Sequence, residues 1–351
     1  MVDIEKIMNI ATDDIEKIMN IATGDIEKVM GHAIPSAGWT GTMGIHGGGN
    51  TSSGGSWVAT TGVNVIDYKT ISSTGAMSDF GDLSSINTGT SSASDGSRGL
   101  FMGGVSNVTY HNKIEYITVG STGDVTDAGD LTEAKYATVA SSNGTTAIVW
   151  AGADSSSTRL ATIDYVTIAS TDNASDFGDV STGAIFSQGG ALNDATYALR
   201  YLGATSASFW GNKYIDYVTM ASTGNSSDFG DMLANGARGL GGCSNETRGI
   251  TWSYDSSGAN TDVIQYLTIA STGDATDFGD MATDGGDNDY SGNNAVSNLT
   301  KGEVYGGKRS YSPYYARQNI EYVTIASTGN ATDAGNDLTA ERVLLSALSG
   351  T

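Results

Sequence analysis

The chain has 351 residues and a formal charge of −22, from 17 Lys and Arg against 39 Asp and Glu. So acidic a surface repels polyanions at long range, which argues against nucleic acid and anionic lipid as partners. One cysteine, Cys243, rules out an intrachain disulfide framework, and no stretch reaches the roughly 20 apolar residues of a membrane-spanning helix.

Residues 1–35 form a first segment with an 11-residue repeat. Asp3-Ile-Glu-Lys-Ile-Met-Asn-Ile-Ala-Thr-Asp returns from Asp14 and again, in part, from Asp25. That period corresponds to about 3.67 residues per turn and predicts a short helical segment, right-handedly supercoiled if continuous. Three separate helical turns are the alternative, since Thr12-Asp13 and Thr23-Gly24 read as stops as well as caps. Ile4, Ile7, Met8, Ile15, Ile18, Met19 and Ile26 would share an apolar face with no cover of its own. An assembly or anchoring role through a homo-oligomer is expected, with a trimer as the guess. Pro35 ends the segment.

From residue 36 a second repeat takes over. Its plainest statement is Ile163-Asp164-Tyr165-Val166-Thr167-Ile168-Ala169-Ser170, closed by Asp176-Phe177-Gly178-Asp179. Aligned on the tyrosine, six copies fall at Tyr68, Tyr116, Tyr165, Tyr217, Tyr266 and Tyr322, at intervals of 48, 49, 52, 49 and 56 residues. Short apolar runs separated by glycine-rich turns at this period predict the blades of a β-propeller, each of four strands. In the third copy the strands are expected at 134–142, 145–153, 159–170 and 174–180. Ile163 to Ile168 is apolar on both faces, as in a strand covered by a neighbouring blade on either side. Gly47 to Gly49, Gly103-Gly104 and Gly306-Gly307 mark where backbone turns or approaches a neighbour closely after the second strand.

The two ends complement each other. Thr339-Ala-Glu-Arg-Val-Leu-Leu-Ser-Ala-Leu matches the opening strand of a repeat, whereas the first copy begins at its second strand, Thr42-Met-Gly-Ile-His-Gly. The C-terminus is therefore expected to supply the strand that the first blade lacks, closing six blades into a ring without exposed edges.

The double glycine followed by a tyrosine in the next strand resembles kelch-type propellers. The wording of the copies is more similar to propeller repeats in structural proteins of tailed bacteriophages, marine cyanophages among them. The resemblance spans residues 36–351. It departs from kelch in lacking the tryptophan expected after the tyrosine, where Ser or Thr stands instead. The resemblance implies a six-bladed, kelch-like, all-β fold and a virion role such as tail fibre or host attachment. Its expected partners are other virion proteins and a host surface glycan, with neither nucleic acid nor membrane. The start of the chain lacks the basic n-region and apolar core of a signal peptide, which fits a protein assembled in a host cytoplasm.

Chemistry is thinly marked. The three histidines, His32, His46 and His111, have no ligand spacing, and neither a nucleophile elbow nor a phosphate-binding loop is present. The Asp-x-Gly-Asp closes are explained by turn geometry. A cation there is the alternative, though each supplies too few oxygens alone. No catalytic residue, metal or cofactor is assigned. A propeller-fold glycan hydrolase or lyase remains the alternative to a non-enzymatic adhesion module, and a cytoplasmic scaffold is a third reading.

Recognition is expected where the copies differ. The sixth carries an insertion in which Lys308, Arg309, Tyr311, Tyr314, Tyr315 and Arg317 concentrate basic and aromatic groups in an acidic protein. Tyrosine and arginine are the residue types favoured in binding patches. A long loop packed on its own blade is the plainer alternative.

Overall fold

The strands expected from the repeat form six four-stranded antiparallel sheets. The computed structural model describes residues 28–29, 32–33, 41–51, 62–73, 75–181, 189–201, 213–233, 241–245, 247–252, 263–282, 291–308 and 318–350. Contacts divide the chain into Met1–Ala37 and Gly38–Thr351. Within the first unit, Lys28–Val29 pairs antiparallel with His32–Ala33. Those four residues belong to the third 11-residue copy, so there the expected helix is replaced by a short antiparallel pair. The rest of the repeat, with Ile4, Ile7, Met8, Ile15, Ile18, Met19 and Ile26, lies outside the described residues.

The second unit is a six-bladed β-propeller. The third blade runs Val139–Ser142, Thr146–Ala153, Arg159–Thr167 and Ser175–Asp179, in that spatial order from the inside out. The inner strand begins later than its pattern predicts, because residues 134–138 belong to the connection from blade 2, and the third strand ends at Thr167 rather than at residue 170. The six inner strands touch their neighbours around the ring, the last of them beside the first. Ring closure follows the expectation: Ser346–Gly350 is the inner strand of blade 1 and pairs with Met43–Gly47, Ser349 opposite Gly44. Every blade thereby has its inner strand.

Each third strand is buried from both sides. Ile163 packs with Ile148, Phe177 and Val218 of the next blade, while Val166 and Ile168 pack with Leu100 and Met102 of the previous one. The repeat tyrosines, in contrast, are half-buried. Tyr68, Tyr165, Tyr217 and Tyr266 pack edge-on against the phenylalanine of the Asp-Phe-Gly-Asp close, at 5.6–6.2 Å between centroids. Where alanine replaces that phenylalanine, a cation covers the ring: Arg98 lies 4.0 Å over Tyr116, and Lys301 3.6 Å over Tyr322.

The close itself is a β-bulge. Ile163 faces Gly178 and Asp164 faces Asp176, leaving Phe177 as the extra residue with its side chain turned into the core. Gly178 has φ +149°, and a Cβ there would meet the Gly224 carbonyl oxygen of the next blade at 2.4 Å. Gly81, Gly230 and Gly279 repeat this approach. The first glycine of each double glycine is likewise used against a neighbour. Gly48, Gly103 and Gly306 have φ of +63° to +68°, and each abuts a carbonyl of the connection that leaves its own blade, at Asn87, Lys135 and Arg342.

Candidate functional site

Strand direction assigns the connections to two faces. Inner-to-second and third-to-outer turns share one face. Second-to-third loops and blade-to-blade connections share the other. On the first face the turns are short and nearly identical. Asp95, Asn143, Asp194, Asn245 and Asn298 each use Oδ1 to accept the backbone N–H groups two and three residues on. The Ser-Thr-Gly turns there stitch neighbouring blades: Asp82 N–H donates to Asp124, Asp130 to Asn173, Asp179 to Asn225, Asp231 to Asp274 and Asp280 to Asn330. Within the closes, Asp127, Asp176, Asp277 and Asp333 accept the N–H of their own glycine. The first carboxylates of these four closes are thus turn acceptors, and Asp124 and Asp274 are seam acceptors. Among the described residues, no group of three His, Cys, Asp or Glu is placed to hold a metal ion.

The opposite face carries the segments that differ between copies. Blade 2 adds a hairpin, Val105–Ser106 against Thr109–Tyr110, whose Tyr110 packs at 5.1 Å on Tyr136. Blade 3 extends its second and third strands to Ala153 and Arg159. The sixth-blade insertion also springs from this face, between Lys301–Lys308 and Asn319–Thr324. Lys308 closes the strand opposite Ser291. Arg309, Tyr311, Tyr314, Tyr315 and Arg317 lie outside the described residues, so their mutual geometry is not on view.

The ring encloses a narrow axial cavity of about 100 Å³. Its wall is made by small residues because six strands converge there. At one level stand Ser94, Ser142, Asn193, Ser244, Ser297 and Ser349, one from each blade. Four of these hydroxyls donate to the preceding blade: Ser142 to Ser94, Ser244 to Asn193, Ser297 to Ser244, and Ser349 to Ser297, at 2.7–3.0 Å to the carbonyls. Inner strands of adjacent blades cannot pair as sheet neighbours, so serine supplies the missing bonds. The sequence signal is slight, one Ser or Asn near the end of each opening strand. In a chain this rich in serine it passes unnoticed.

A second recurrent feature also escaped sequence reasoning. The residue before each tyrosine is buried: Asp67, Glu115, Asp164, Asp216, Gln265 and Glu321. Each accepts from the connection arriving from the preceding blade. Ser84 donates to Glu115, Thr132 to Asp164, Ser181 to Asp216, the Leu233 N–H to Gln265, the Ala282 N–H to Glu321, and Thr339 to Asp67. Cations complete three of them. Lys135 Nζ lies 2.8 Å from Asp164, Arg342 pairs with Asp67, and Arg200 pairs with Asp216. A polar residue held at one position of an otherwise apolar strand was the clue, since such a strand has no solvent face. Buried pairs and tyrosine stacking thereby take up Lys135, Arg342, Arg200, Arg98, Arg248 and Lys301.

Two histidine side chains are described. His111 bonds Ser106 at 2.7 Å, and burial with nearby Lys113 lowers its pKa. His46 is fully buried, and neither ring nitrogen has a hydrogen-bond partner. Burial first, then the charges of Arg342 and Lys69, hold its pKa well below the ordinary imidazole range. The Cys243 thiol is pushed up to about 12 by burial, an inert rather than nucleophilic cysteine. No protein-family model and no curated protein matches the chain.

Proposed function

We propose that this chain is a non-enzymatic virion protein of a tailed bacteriophage, a kelch-like propeller serving as a tail-fibre or peripheral host-adhesion module. The observation that carries the reading is the division of the ring into two faces. One is an almost invariant lattice of turns. Against it, every connection that differs strongly between copies leaves from the other face, and binding residues concentrate on variable loops held by a rigid scaffold. The buried carboxylates, each bonded to an incoming connection, serve as structural ties, and the exposed aspartates of the closes cap turns. Glycoside hydrolysis needs a placed pair of carboxylates, whereas these structural uses need none. The repeat wording supplies the phage element of the reading. The N-terminal 11-residue repeat supplies self-association and attachment to other virion proteins.

The contact residues of this reading are Lys308, Arg309, Tyr311, Tyr314, Tyr315 and Arg317, with a host surface glycan as the ligand. The deciding experiment changes Tyr311, Tyr314 and Tyr315 together to serine in assembled particles. Loss of host adsorption with normal incorporation supports adhesion through this loop. Normal adsorption with reduced incorporation assigns the loop to a neighbouring virion protein instead. If neither moves, the loop has no binding role. New reducing ends released from host polysaccharide by purified protein would replace the reading with a hydrolase, and new unsaturated ends with a lyase.

A further inference from the structure

Five of the six seams between blades are alike. An aliphatic residue from the second strand of one blade meets an aliphatic residue from the third strand of the next, as in Ile45 with Ile117, Ile148 with Val218, and Ile250 with Val323. The seam between blade 6 and blade 1 breaks the pattern. Glu303 stands where the other blades have Ile or Leu, and Lys69 faces it at 3.2 Å, with both side chains 1% exposed. Glu303 also accepts the Ser72 N–H at 2.7 Å and the hydroxyl of Tyr305. This is the seam at which the chain closes on itself.

His46 lies in the same seam. It occupies the second-strand position that is Val149 in blade 3 and Val304 in blade 6, cross-strand from Asp67 on one side and Ala347 on the other. Its ring sits 3.8 Å from that of Tyr305, between centroids. The titratable and charged groups packed about it are Asp67 and Lys69 on the third strand of blade 1, Arg342 on the arriving connection, and Glu303 and Tyr305 on blade 6. Beyond these, Cys243 of blade 5 interacts electrostatically with Tyr305 and Glu303. Both carboxylates are already engaged, Asp67 by Arg342 and Thr339, and Glu303 by Lys69, Ser72 and Tyr305. Among the described residues no anion is left to compensate an imidazolium, while two cations, Arg342 and Lys69, stand close by.

We propose that the blade 6–blade 1 seam is an acid-operated clasp: His46 takes up a proton only when blade 1 detaches from blade 6, so the ring opens there first as pH falls. The proton count sets the direction. In the closed ring His46 is neutral. In the open ring it meets water and regains an ordinary imidazole affinity, near pH 6.5. Below that value the open form binds one more proton than the closed form, and the closed-to-open equilibrium shifts about tenfold per pH unit. Above it the term vanishes and the clasp stays shut. The inference concerns the ring itself and stands whether or not the loop face binds a glycan.

The test is hydrogen exchange of the full-length protein between pH 7.5 and 5, corrected for intrinsic exchange rates. Peptides covering Met43–Gly47, Val65–Thr70 and Ser346–Gly350 are compared with equivalent strands of blades 3 to 5, which hold no histidine. The expected result is a loss of blade 1 protection of about tenfold per pH unit below 6.5 in excess of the other blades. His46→Val, which installs the residue of blades 3 and 6, should abolish the excess. Should that variant fail to fold, His46→Gln, which likewise takes up no proton in this range, carries the same expectation. Equal loss in all blades, or an excess that survives in the folded variant, overturns the clasp.

Discussion

Removing the amine of Lys135 tests how the buried carboxylate row holds the ring together. Lys135 Nζ lies 2.8 Å from Asp164, with both side chains 0% exposed, and Thr132 already bonds the other carboxylate oxygen. Lys135→Met keeps the aliphatic stem and leaves Asp164 charged, enclosed and unpaired, which costs about 3–5 kcal/mol for a buried pair broken on one side. The melting temperature should fall on the order of 5–15 °C. Replacing the pair together, Lys135→Met with Asp164→Leu, removes the stranded charge as well as the bond. The loss then reduces to the orphaned Thr132 hydroxyl, about 1 kcal/mol, set against the gain from apolar packing. Calorimetry on wild type, both single variants and the double completes the cycle. A Lys135→Met protein within about 0.5 kcal/mol of wild type, the range of an ordinary surface change, would refute the role given to this pair. So would a double variant whose loss equals the sum of the singles.

Gly178→Ala should destabilise by at least about 2 kcal/mol, because strain at positive φ adds to a backbone clash, while Gly224→Ala, with open space around the new methyl, should change stability by well under half as much; equal melting temperatures would contradict the close-approach reading. Deleting residues 346–351 strips blade 1 of its inner strand and exposes the edge of Met43–Gly47, so light scattering should reveal aggregation; a monomeric truncated chain melting like the parent would remove the case for closure by this strand. Alkaline pH should weaken the fold through Cys243. Its thiol ionises near 9 when unfolded but is held to about 12 when folded, so the unfolded chain releases the proton first. Stability falls by about 1.4 kcal/mol per pH unit across that window, and a Cys243→Ala protein should show a shallower alkaline limb in urea titrations.

Much of the architecture is legible from local chemistry. Period-2 apolar alternation, Gly-rich turns and a tyrosine recurring about every 50 residues locate the strands of the third blade within a few residues. The match between the last strand pattern and the missing first strand foretells ring closure. These features are local or repeat six times, and repetition averages out accident. The inner strand begins only at Val139 because Lys135 and Tyr136, which the pattern places in it, serve the connection instead. The tyrosines proved half-buried, since an alternating pattern records a face but not how far the next blade overlaps it.

What the tertiary structure alone decided is who faces whom across a seam. Asp164 reads as an ordinary polar residue until the strand is seen covered on both sides, with Lys135 brought onto it from the preceding connection. Glu303 and Lys69 are 234 positions apart in the chain, and nothing near either one announces the other. His46 looks like an isolated histidine until ring closure seals it among Tyr305, Lys69 and Arg342. A strand's own residues set its period and its turns. Whether a charge on it is solvated, paired or stranded depends on the blade packed across from it, and closing the ring is what brings the first and last blades together.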